Sequence, residues 1–223
     1  MATKNQTREP GEIARRRSPY HHGDLRDAVM NGALEAIARE GVEAISLREI
    51  ARDIGVSHGA PAHHFGDRLG LFTALAVAGL QRLRQDLIRA VASAGTDPME
   101  RLAAAGRAYV IFAAENPAYF EVMFHPKLLR TDDAELLACR TAATDVLREA
   151  LAAAHDAKAG QEDSSSRDQQ LGVAALRAWS AAHGLATLWL SGNIPDAAAE
   201  GGIEVLAARV LTSQVGRNPL GSD

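Results

Sequence analysis

Apolar residues recur along this chain every three to four positions, the period of helices that bury one face, while alternating Val, Ile and Thr segments of the strand type are scarce. Leu25, Val29, Leu34 and Ile37 form the first stripe and predict a helix from Gly23 to Glu40, with Asp24 and Asp27 favourably placed in its first turn and Gly41 closing it. Leu47, Ile50, Ala51 and Ile54 form the second and leave Arg48, Arg52 and Asp53 on the wet side. Ser46 followed by Glu49 is a capping box for that helix, and Ile45 can staple onto Ile50. Gly55 then turns the chain, Val56 plugs the angle, and Ser57 is a good N-cap for a further short helix. That helix opens with His58, Gly59, Ala60, Pro61, Ala62, His63 and His64, a small and polar face poorly suited to a core.

The pattern continues as helices. Asp67 is placed to cap a long one reaching about Ala94, with Leu71, Leu75, Leu83, Leu87 and Val91 among its buried positions. Thr96-Asp97-Pro98 restarts the chain, and helical spacing from Leu102 to Ala113 runs to a natural break at Asn116-Pro117. A short turn follows, then a helix from Asp133 to His155. Residues 156–169 are polar and read as an exposed, mobile loop. Two last helices, about 168–191 and 202–215, are rich in small residues suited to close packing. The expected fold is all-α in three parts: a basic arm over 1–20, a three-helix unit over 21–68, and a larger helical domain over 69–218.

Composition narrows the field. Aromatics make up 4% of the 223 residues, which suits closely packed helices. The single cysteine, Cys139, excludes an intramolecular disulfide, and no apolar run approaches the ~20 residues that span a bilayer. The N-terminal stretch lacks the apolar region of a signal peptide, so a cytoplasmic protein without membrane partners is expected. No Gly-rich phosphate loop, nucleophile elbow, His-Glu-x-x-His or Cys-x-x-Cys spacing is present, so no catalytic residue, cofactor or metal site is assigned. His21-His22 and His63-His64 are adjacent pairs, whose imidazoles diverge by about 100 degrees on a regular helix.

The net charge of −4 argues against a nucleic-acid partner only superficially, because residues 1–68 balance and the acidic excess lies beyond them. Lys4, Arg8, Arg15, Arg16 and Arg17 make residues 1–20 locally basic, either a phosphate-following arm or a solubilising tail. The helix, tight turn and helix of residues 42–72 match a helix-turn-helix, whose second helix enters the major groove. An ordinary αα-hairpin shares the turn and the apolar spacing. On the DNA reading, Ser57, His58, His63 and His64 supply hydrogen-bonding groups, and Ala60 and Ala62 offer methyls to thymine. Pro61 stiffens the start of the second helix; Ser46, Arg48 and Arg68 complete the expected DNA-contacting set.

Leu25 to Leu71 resembles the N-terminal DNA-binding domain of the tetracycline-repressor (TetR) family of bacterial regulators. The resemblance rests on Glu40-Gly41, Ile50-Ala51, Gly55-Val56-Ser57, Gly59, His64-Phe65, Arg68 and Leu71 at the family's spacing. Farther on, Tyr109-Val110-x-Phe112-Ala113, Asn116-Pro117, Met123-Phe124 and Trp179-x-x-x-His183-Gly184 look like a subgroup with a Trp/His-Gly C-terminal signature. Two positions depart from the family pattern: Ala62 stands where an aromatic phosphate contact is usual, and Leu69 where an acidic residue is common.

The resemblance implies a homodimer paired through the last two helices, bound to a palindromic double-stranded DNA operator and released, as a repressor, by a small-molecule effector. A purely intramolecular core explains the same small-residue stripes, and a helical scaffold binding only proteins is the alternative function. Tyr109, Phe112, Phe120, Met123, Phe124 and Trp179 concentrate aromatic and polarisable groups in the second domain and mark an expected effector pocket, with His183 as its orienting polar group. Core packing accounts for the same aromatic spacing.

Overall fold

The structure, a computed structural model, describes residues 22–156 and 164–216; the basic arm and His21 lie outside them. Among the described residues there are helices and no strand. α1 (His22–Glu40), α2 (Leu47–Asp53) and α3 (Ala60–Phe65) form the N-terminal unit. α4 (Arg68–Ser93), α5 (Pro98–Glu115), α6 (Pro117–Met123), α7 (Ala134–Asp156), α8 (Ser164–Leu190), α9 (Asp196–Ala199) and α10 (Gly202–Gly216) form the remainder. No helix among the described residues is long and apolar enough to cross a membrane.

Local sequence sets the element boundaries. Ser46 Oγ accepts from Glu49 N at 3.2 Å and starts α2. Ile50 and Ala51 are buried on its inner face, and Gly55 at φ 71° turns the chain while Val56 N donates to Ala51 O. α3 begins later than Ser57 capping predicts. Residues 58–59 are a turn in which the Ser57 carbonyl accepts from Ala60 N, and Gly59 stands at the N-cap. Asp67 caps α4 through Gly70 N at 2.8 Å, and Asp97 caps α5 through Met99 N at 2.9 Å. α8 starts at Ser164, so the second half of the expected 156–169 loop is helical; residues 157–163 lie outside the described set.

α4 is the axis of the molecule. Its 26 residues span about 39 Å at 1.5 Å per residue. Leu71, Leu75, Leu80, Leu83 and Leu87 are buried along it against α5, α6 and α7, while its first turn meets α3. α5 packs against α7, α8 and α10. α1 touches α6 as well as α2 and α3, so Val29, Ile37 and Phe65 share one continuous core with Leu75, Phe120 and Val122. The boundary near residue 68 is therefore crossed by packed side chains. A smaller cluster of Leu102, Ala150, Leu151, Ala154 and Ala174 closes the far end of α5, α7 and α8.

Candidate functional site

Two regions carry chemistry. The first is the outer face of α2, the turn and α3. Ser57, His58, Ala62 and His63 are exposed; Ala60 and His64 are half-buried. Pro61 and Phe65, one helical turn apart, point inward and anchor α3, with the Arg26 guanidinium 5.6 Å from the Phe65 ring centre. Pro61 thus leaves the expected DNA-contacting set, because its ring is fully buried. Arg48 is exposed and forms no hydrogen bond or ion pair among the described residues. Arg52 lies 3.4 Å from Asp53, which also receives Arg39 at 3.7 Å, so Arg48 is the uncompensated cation of α2.

Arg68, another residue of the expected set, is engaged within the protein. Its guanidinium donates to the carbonyls of Val42 and Glu43, in the 3-10 turn before α2, and lies 5.0 Å from the Phe72 ring centre. It fastens the first turn of α4 to the helix-turn-helix and is half-buried. His125 Nε2 approaches Glu43 Oε1 at 3.6 Å from the segment after α6. Arg130 N donates to Thr73 Oγ1 at 3.0 Å on α4. These polar contacts join the reading element, α4 and the end of α6.

The second region is a cavity of about 860 Å³ lined from α4, α5, α6, α7, α8 and α10. Leu80, Leu83 and Leu87 line it from α4, Leu102 and Gly106 from α5, and Ala143, Leu147 and Leu151 from α7. Of the residues expected to form an effector pocket, Tyr109, Met123, Phe124 and Trp179 line it. Phe112, Phe120 and His183 do not. Phe112 is 1% exposed in the core; Phe120 is buried beside the His183 ring, 5.2 Å away and nearly parallel. Leu176 and Trp179, which line the cavity and are more than two-fifths exposed, place its mouth on the α8 side.

Tyr109 organises one wall. Trp179 Nε1 is a donor only, so its 3.3 Å contact to Tyr109 Oη makes the phenol an acceptor. The phenol's own proton then goes to His183 Nδ1 at 2.8 Å, which places the neutral histidine's proton on Nε2. Burial pushes both groups toward neutrality: the Tyr109 phenol is held well above its usual range and the His183 imidazole below its own. Phe124 packs on His183 with ring centres 4.6 Å apart. This ring cluster adjoins the junction, because Phe124 directly precedes His125.

With this geometry the comparisons with known proteins become specific. Residues 29–75 match the family model described as bacterial regulatory proteins of the tetR family, and residues 102–213 match the tetracyclin repressor-like C-terminal domain. The chain belongs to the TetR family of transcriptional regulators. Its members are DNA-binding proteins and not enzymes. The HTH-type transcriptional regulator BetI of Rhizobium meliloti (strain 1021) is 38% identical over 79 residues, which are 35% of this chain and 38% of BetI. The match thus spans well under half of that curated relative. A protein of unknown function from Rhodococcus sp. RHA1 has a solved structure that is 31% identical, with a TM-score of 0.72, covering 89% of this chain and 97% of that one. AibR, solved with isovaleryl coenzyme A and operator DNA, shares the fold at 19% identity and a TM-score of 0.61, over 85% of this chain and 97% of AibR.

In this TetR-family chain, sequence reasoning missed the whole α7 wall of the cavity. Arg140, Ala143, Thr144, Leu147 and Leu151 all line it and fall at i, i+3, i+4, i+7 and i+11. That spacing was a readable signal: one stripe with an arginine at its head.

Proposed function

We propose that this regulator is a homodimer that reads a palindromic operator with the α2–α3 faces of its two copies and is released by a small molecule bound in the central cavity. The observation that carries the reading is the exposed row of Arg48, Ser57, His58, Ala62 and His63 on a helix-turn-helix fixed from behind by buried Pro61 and Phe65. Small and hydrogen-bonding side chains on a rigid short helix suit close approach to base edges, and Arg48 suits a phosphate. With Ala62 in place of an aromatic, the neighbouring His63 is the side chain positioned to supply a backbone contact.

Dimerisation is supported by apolar side chains left exposed on the last long helices: Val173, Leu176, Leu188 and Leu190 on α8 and Val205 on α10. Each is already about half-buried, so covering the remainder is worth about 1 kcal/mol apiece. Twofold pairing there sets the two reading helices about 34–36 Å apart, one DNA turn. Repression is the simplest outcome of operator occupancy, and the cytoplasm is the compartment in which DNA is reached.

Selection of the purified protein against random duplexes, with the enriched pool rebound at raised salt, tests the reading. Enrichment of a palindrome that survives salt is expected. Binding without an enriched motif, lost as salt rises, reduces the interaction to phosphate attraction and favours a helical protein-interaction scaffold instead.

A further inference from the structure

The central cavity is polarised in a way that its aromatic wall conceals. Trp179 spends its donor on Tyr109 and Tyr109 spends its own on His183, so the two of these residues that line the cavity have little hydrogen-bonding demand left for a ligand. Thr144 spends its hydroxyl proton on the Arg140 carbonyl, 2.9 Å away within α7. Among the described residues, the lining contains no aspartate or glutamate. Arg140 is half-buried at its edge, and its guanidinium makes no hydrogen bond or ion pair among the described residues. From Arg140 the α7 wall descends through Ala143, Leu147 and Leu151, eleven residues or about 16 Å of helix. Leucines of α4 face it throughout.

We infer that the cavity takes a single-chain amphiphilic anion, its hydrocarbon body lying along the Ala143–Leu151 stripe and its anionic head paired with Arg140. This rests on the reading of the cavity as the effector site. A planar guanidinium that makes no hydrogen bond or ion pair among the described residues, at the lining of a largely apolar space, gains two charge-assisted bonds from a carboxylate or phosphate head. A cationic head meets arginine and no compensating carboxylate. A compact polar ligand leaves the leucine walls wet. The volume lies in the upper part of the roughly 300–1,000 Å³ typical of small-molecule sites, room for a chain and not merely a head group.

The test is calorimetric titration of the full chain, below micelle-forming concentrations, with four probes sharing one tail: dodecanoate, dodecyl phosphate, dodecan-1-ol and dodecyltrimethylammonium. Both anions are expected to bind about tenfold or more tighter than the alcohol. That preference is expected to vanish in Arg140→Gln and to return largely in Arg140→Lys, with unfolding curves confirming that each variant is folded. Equal affinity for alcohol and anions, a preference for the cation, or no binding by any probe overturns the inference. Ala143→Phe, with Leu147→Trp as a second filled variant should the first not fold, separates the two levels. If head groups are not distinguished but filling abolishes binding, the cavity is a ligand site and only the anion assignment fails. If dodecanoate binds the filled variants unchanged, the ligand lies elsewhere and the effector-site reading fails with it.

Discussion

The Arg130 guanidinium donates to the Asp67 carboxylate at 3.0 Å, tying the segment after α6 to the residue that caps α4. The pair is exposed on both sides, so its Coulombic worth is about 0–1 kcal/mol, whereas losing the cap costs about 1 kcal/mol. Asp67→Ala should therefore lower the unfolding free energy by about 1 kcal/mol, Arg130→Ala by less, and Asp67→Asn least, as read by denaturant unfolding. The Gly70 amide first, and Arg130 second, hold the Asp67 carboxyl below its ordinary 3.8. A depressed carboxylate stabilises the fold above its unfolded value and ceases to as pH falls. Acid unfolding below about pH 4 should accordingly be shallower in Asp67→Asn.

Gly70 carries a second constraint at this corner. A Cβ there would stand 1.9 Å from the Phe65 carbonyl oxygen, a backbone atom that cannot swing aside. Gly70→Ala must push the end of α3 away from α4, at a cost of about 1–3 kcal/mol that exceeds any gain in helix propensity. Lower stability together with weaker operator binding is expected; a variant as stable as the parent would show that α3 and α4 meet differently.

The Tyr109–His183 bond predicts a pH response. Burial depresses His183 below its ordinary 6.5, so the neutral ring is the folded form and its contribution is complete above that value. As pH falls below about 6.5 the unfolded chain takes up the proton first, and stability declines. Melting temperatures across this window should fall for the parent and fall less for His183→Gln, whose amide oxygen still accepts the phenol proton. Tyr109→Phe removes the shared partner of Trp179 Nε1 and His183 Nδ1, neither of them fully buried, and should cost about 1 kcal/mol at neutral pH.

Two arginines near the reading face should separate by function. Arg48→Ala should weaken DNA binding across sequences and lower the slope of log affinity against log salt by about one, leaving unfolding nearly unchanged. Arg68→Ala removes a side chain that holds Val42 and Glu43, so it should destabilise the protein first and affect DNA through the altered position of α2.

Much of this fold is legible in short-range patterns. The Ser46 and Asp67 caps, the Gly55 turn and the stripes of α2 and α4 each arise from residues within a turn or two, and each stands where periodicity puts it. The start of α3 was misplaced because Ser57 competes with its own turn: the serine carbonyl engages Ala60 N and defers the helix. The internal roles of Pro61 and Arg68 were not legible, since nothing local reveals that one ring faces the core or that a guanidinium reaches back 26 residues. The cavity was half visible. Its aromatics draw the eye, yet Phe112 and Phe120 fill the core, while Arg140 and the α7 leucines meet the other walls only through long-range packing.

Coupling between the cavity and the reading heads is the central claim. The most direct test is reciprocal titration with the selected operator: operator affinity at zero and saturating dodecanoate, and dodecanoate affinity with and without operator. Linkage requires that each weaken the other by the same factor. A matched loss in both directions, absent in Ala143→Phe, is the predicted result; operator affinity unchanged at a saturated cavity would contradict the account.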